Sequence, residues 1–113
     1  MNPFQQAGFA GPYKLAQFEE TLRRGETGVY VFLDLFGEPK YIARSDSDLA
    51  SRVRGWTQTY DSFWVEYHTA PRTAYMRECE LYHRYRAKLD LKTHPAPPPG
   101  VDWRCPTKGC ELS

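Results

Sequence analysis

Cysteine is scarce in this chain, and charge of either sign has almost no surplus. Only Cys79, Cys105 and Cys110 are present among 113 residues. Three cysteines do not build a disulfide-stapled secreted scaffold. The formal net charge is +1, so no global field advertises nucleic-acid binding. No apolar run approaches the ~20 residues that span a bilayer. The opening MNPFQQAGFAGPY has neither the basic nor the apolar region of a signal peptide. A reducing cytoplasm without a membrane partner is the expected setting. No internal repeat is visible.

What is present argues for a folded globule. Hydrophobic residues make up 41% and aromatics 15%, above the range of disordered chains. At this length roughly 60–70% of the unfolded surface can be buried, so one domain is expected over 1–94. The Pro-rich stretch and Cys-containing tail, 95–113, would follow it. Charge is uneven along the chain. Met1–Pro39 carries three Lys/Arg against five Asp/Glu, and Lys40–His94 ten against seven.

Periodicity places the elements. PYKLAQFEETLRRG has Leu15, Phe18 and Leu22 at helical spacing, closed by Gly25. TGVYVFLD and PKYIAR read as two strands joined by the turn LFGE. Ser45 and Asp48 resemble a capping pair, so a helix is expected from Ser45–Ser47 to Gly55. SFWVEYH alternates as a third strand. Pro71 suits the first turn of a last helix running on through Leu89. HPAPPPG is polyproline-like and ends regular structure. The expected fold is α/β of the α+β type, a small three-stranded, mainly antiparallel sheet flanked by helices.

Two charges fall on inner helix faces. Arg52 lies on the stripe of Leu49, Val53 and Trp56, and Glu78 on that of Ala74, Leu81 and Tyr82. Glu80 belongs to the wet face. A buried unpaired ion costs several kcal/mol. The pattern therefore demands an Arg52–Glu78 salt bridge, side chains that snorkel to the edge, or a polar site where a metal or phosphate meets both groups. Alternation allows Tyr30 and Tyr41 to share a sheet face, as a polar site or as large core residues with one polar tip. In the tail, CPTKGC brings Cys105 and Cys110 close together, like one knuckle of a zinc site. His83 and His94 could complete four ligands, and two free thiols are the alternative.

The order of these pieces resembles the GIY-YIG nuclease superfamily. Gly28-Val29-Tyr30 and Tyr41-Ile42-Ala43 resemble its paired tripeptides, YIARSDSDLASRV its second strand and helix with Arg52 at the motif arginine, and AYMRECELY its acidic helix with Glu78 as metal ligand. The likeness covers about Thr27 to Leu89 and implies a metal-dependent endonuclease cutting DNA phosphodiester bonds, with RNA also open. One Mg²⁺ or Mn²⁺ would sit on Glu78 and polarise the phosphate. Arg52 would stabilise the phosphate. Tyr30 would act as base or water-orienter, with Tyr41 holding it by a hydrogen bond. Arg44, Arg54, Arg77 and Arg84 would contact nucleic acid through backbone phosphates. Ala43 stands where the family has Gly, and the Asn that follows its acidic helix has no counterpart, since Asn2 is the only asparagine. These departures define the alternatives: a catalytically weakened nucleic-acid-binding relative, or a protein-interaction domain with a core Arg–Glu pair.

Overall fold

The computed structural model describes residues 3–21, 26–46, 54–55, 59–90 and 93–112. After a short helix α1 (Pro3–Gln6) comes strand β1 (Ala10–Lys14), a 3₁₀ turn (Leu15–Gln17) and a one-turn helix α2 (Phe18–Thr21). Strands β2 (Thr27–Leu33), β3 (Pro39–Ser45) and β4 (Ser62–His68) lead to the long helix α3 (Pro71–Tyr85) and a 3₁₀ turn (Arg86–Lys88). The strands form one antiparallel sheet in the order β1-β4-β2-β3. The α+β architecture expected from the pattern is present, with one more strand.

The extra strand is β1, which takes up Pro12–Lys14 from the start of the first expected helix. Its AGPYK sequence has no alternation to advertise it. It becomes a strand because β4 offers an open edge, against which Tyr13 faces Phe63 and Ala10 faces Val65. Of the first expected helix, the described residues show the Leu15–Gln17 turn and α2, and its end at Leu22 to Gly25 lies outside them. The helix expected over Ser45–Gly55 falls mostly outside the described residues, and Ser45 itself ends β3. The third strand falls on SFWVEYH as expected.

β2 lies between β3 and β4 and is buried from Gly28 to Leu33. Its alternation splits the core in two. On one face Tyr30, Phe32, Phe63 and Val65 pack with Leu15 and Phe18. On the other, Val29, Val31, Leu33 and Trp64 pack with Phe4, Phe9 and two α3 residues, Ala74 and Leu81. α3 has a second buried stripe, Tyr75 and Cys79, which the tail covers with Cys105 and Trp103. Pro at its start fits, because the first-turn N–H groups have no helical partner.

Candidate metal centre and the charged rows under helix α3

Val29 sits between two ionic neighbours, Arg44 on β3 and Glu66 on β4. Strand alternation turns both toward α3. The helix answers with consecutive residues of matching charge. Arg44 Nη1 donates to Glu78 Oε1 at 2.6 Å. Arg77 grips Glu66 side-on, Nε to Oε1 at 2.8 Å and Nη2 to Oε2 at 3.1 Å. Two crossed ion pairs thus fix the helix over the central strand. Such paired geometry supplies the compensation that buried charge needs.

The surroundings of the first pair are closed. The Arg44 and Glu78 side chains are 10% and 11% exposed. Arg44 Nε also donates to Asp46 Oδ1 at 2.9 Å, and Nη2 to the Ala96 carbonyl at 2.6 Å. The Tyr75 ring lies 5.1 Å from the guanidinium carbon. Burial lowers the Arg44 pKa, but Asp46 and Glu78 outweigh it and hold the guanidinium above its ordinary value. Burial pushes the Glu78 carboxyl up, and Arg44 pulls it only part of the way back. In the second pair, burial raises Glu66, yet hydrogen bonds from His68 and Arg77 leave it below the ordinary range. His68 bridges Glu66 Oε1 at 2.6 Å and Thr73 Oγ1 at 2.9 Å.

The residues expected at a nuclease centre are distributed differently. Tyr30 and Tyr41 do share a face, packing around Phe32, but it is the face away from α3. Tyr30 is 2% exposed. Glu78 is buried on the inner face of α3, as the helical stripe requires, while Glu80 is exposed. Arg52 lies outside the described residues. Glu78 meets Arg44, so the residue expected at a phosphate is instead its partner. Arg77, also expected at nucleic acid, is occupied by Glu66 and reaches Glu80 at 3.4 Å. Arg54 lies 3.7 Å from Glu19, with both side chains exposed. Arg84 is exposed.

The tail builds the other site. His83 near the end of α3, together with His94, Cys105 and Cys110, places one ligand atom each within 4.8 Å of the others. Cys105 Sγ lies 3.5 Å from His83 Nε2, and Cys110 Sγ lies 3.3 Å from His94 Nε2. Tetrahedral zinc with Zn–S ~2.3 Å and Zn–N ~2.0–2.1 Å spaces neighbouring S and N ligands about 3.5 Å apart. The donor spacing therefore fits. So does the shell behind it. His94 Nδ1 is 2.7 Å from the Pro95 carbonyl, which takes the Nδ1 proton and leaves the Nε2 lone pair for a metal. Leu112 N–H donates to Cys110 Sγ at 3.4 Å. Burial raises the Cys105 thiol, but hydrogen bonds from Thr107, His94 and His83 bring it down to about 6. Gly109, at φ +88°, makes the left-handed turn between the cysteines. This His2Cys2 cluster could bind a metal such as zinc.

Cys79 is different. It is fully buried, and burial pushes its thiol up to about 12. It packs under Cys105 as an inert core residue.

Comparison of the chain with family models, curated proteins and solved structures gives no match. Among the described residues no helix is long and apolar enough to cross a membrane. Two partnerships were missed in the sequence. Arg44 shares its strand face with Ile42, and Glu66 shares its face with Trp64, so alternation pointed both at α3. That signal was available and gives Glu78 a cation of its own, Arg44.

Proposed function

We propose that this chain is a zinc-fastened interaction domain that acts by binding, not by hydrolysis. The observation that carries the reading is Glu78, whose carboxylate is buried against Arg44 at 2.6 Å. A magnesium ligand must give its oxygens to the ion and leave room for water and phosphate. Here Arg44 occupies that position, and Asp46 and Ala96 fix Arg44 in turn. The charges on the inner face of α3 then serve as register pins. Zinc on His83, His94, Cys105 and Cys110 holds the tail across the helix. All four positions would be filled by protein, the pattern of a structural site. A reducing cytoplasm, which keeps the three thiols free, suits this reading.

A plasmid-nicking assay in Mg²⁺ and Mn²⁺ tests it. No metal-dependent nicking is expected above that of a Glu78→Ala variant. Elemental analysis should find one zinc per chain. Nicking that vanishes in a folded Glu78→Ala variant would overturn the reading.

The second reading is the metal-dependent DNA endonuclease that the GIY-YIG resemblance implies. It rests on the order of the motifs in the sequence, while Tyr30 and Tyr41, sharing one face around Phe32, lie across the sheet from α3 and Glu78. It requires Glu78 to exchange Arg44 for Mg²⁺ or Mn²⁺ when DNA binds, and the same assay decides it.

A further inference from the structure

We propose that the tip of the β2–β3 hairpin, with the cleft beside it, docks a segment of a protein partner that pairs a bulky apolar side chain with Lys or Arg. The identity of this partner class rests on the interaction-domain reading. Leu35 is 81% exposed and Phe36 90%, more than any other large apolar side chain among the described residues. Two adjacent residues of this kind on a turn are not explained by the core, which neither of them joins.

The turn holds them rigidly. Asp34 Oδ1 accepts the N–H groups of Phe36 at 2.9 Å and Glu38 at 3.0 Å. Asp34 N–H donates to the Glu38 carbonyl, and Gly37 N–H to the Asp34 carbonyl, each at 3.1 Å. Gly37 takes φ +81°, as such a turn requires. A fixed turn has little freedom left to lose when a partner arrives.

Beside the tip is a cleft of about 400 Å³ lined by Asp34, Leu35, Phe36, Thr59, Tyr60 and Asp61. Tyr60 is also fixed, its ring stacked on Phe32 at 5.3 Å and its hydroxyl donating to Asp90 at 3.0 Å. Charge chooses the occupant. Among the described residues of the lining, the acidic side chains are Asp34 and Asp61, and none is basic. Lys14 meets Asp61 at 3.0 Å, but its side chain is 65% exposed, and such a surface pair is easily exchanged. An acidic lining repels nucleic-acid phosphate and anionic lipid. It attracts Lys or Arg, whose cation also suits the aromatic faces of Phe36 and Tyr60. Apolar anchors at the centre with charge at the rim make the usual pattern of a binding hot spot.

A displayed random-peptide library is selected against the full chain purified with zinc, and enriched peptides are measured by calorimetry. The expected peptides pair an aliphatic or aromatic residue with a neighbouring Lys or Arg. Phe36→Ala and Leu35→Ala should each weaken them by roughly tenfold or more at unchanged melting temperature. Replacing the peptide's Lys or Arg by Glu should abolish binding. Failure to enrich any tip-dependent peptide, enrichment of acidic peptides, or binding that survives the double substitution overturns the proposal. So does a dimer by light scattering that Phe36→Ala returns to monomer, since a second copy would then be the occupant. DNA nicking would overturn the proposed function and leave the peptide result standing.

Discussion

Arg44→Ala tests the crossed-pair arrangement most directly. It removes the cation from a carboxylate whose side chain is only 11% exposed, and takes one donor from the Ala96 carbonyl. Removing one partner of a buried pair costs about 3–5 kcal/mol. Glu78 can relieve part of this by taking up a proton, because burial already pushes its pKa upward. The lower end, ~3 kcal/mol, is therefore expected. For a chain of this size that is a fall in melting temperature on the order of 10–15 °C. Glu78→Gln keeps a hydrogen-bonding oxygen for Arg44 and should lose only about 1 kcal/mol. The double replacement Arg44→Leu/Glu78→Leu removes both charges and should recover most of the loss, because apolar packing replaces a buried pair well. Urea unfolding followed by tryptophan fluorescence, at fixed free zinc and with unchanged m-values, gives these differences. If Arg44→Ala costs under ~1 kcal/mol, in the range of exposed pairs, the pair is not buried in solution. Glu78 would then be available to a cation, and the endonuclease reading would gain.

Metal removal should be visible without any activity assay. Saturating zinc at ~1,000-fold above its dissociation constant stabilises the fold by about 4 kcal/mol, so a chelator should lower the melting temperature, and Cys105→Ser should abolish the zinc-dependent increment. The pH response of the two ion-paired glutamates should have opposite signs. Glu66 is held below the ordinary carboxylate range, so its contribution is present above that range and lost as pH falls through its folded pKa. The gap between wild type and Glu66→Gln in urea unfolding should accordingly close on acidification. Glu78 is pushed up, so its protonation contributes stability below the ordinary carboxylate range that fades as pH rises through its folded pKa. Glu78→Gln should therefore compare progressively better with wild type as pH rises across that interval. Thiol labelling should find Cys79 unreactive in the zinc-loaded protein and modified after chelation, since Cys105 and Trp103 of the tail cover it.

Elements with strong local periodicity were legible from residues alone. Alternation in SFWVEYH marks β4, and the Ala74, Leu81 and Tyr82 stripe marks α3 and the inward turn of Glu78. β1 was not legible, because Gly11 and Pro12 break alternation and its pairing depends on the free edge of β4, a non-local fact. The partner of Glu78 was ambiguous for the same reason. Helical spacing names the buried acid, while the register of β3 against β2 decides which cation lies above it. The candidate metal donors were visible as residue types, and the folding of the tail back across α3 was not. Nothing local in a Pro-rich stretch tells which helix face it will cover.

Of the four candidate metal donors, His94, Cys105 and Cys110 belong to the tail, and only His83 belongs to α3. The centre is thus a three-toothed hook closing on one eyelet. Substituting a tail donor would impair the hook itself, whereas His83→Ala would leave three donors able to retain zinc without tying it to α3, and the tail held by the Arg44–Ala96 contact and by packing on Tyr75 and Cys79. In that variant, metal content and attachment of the last twenty or so residues would separate. A single imidazole would then set how firmly this arm is tied to the body of the protein.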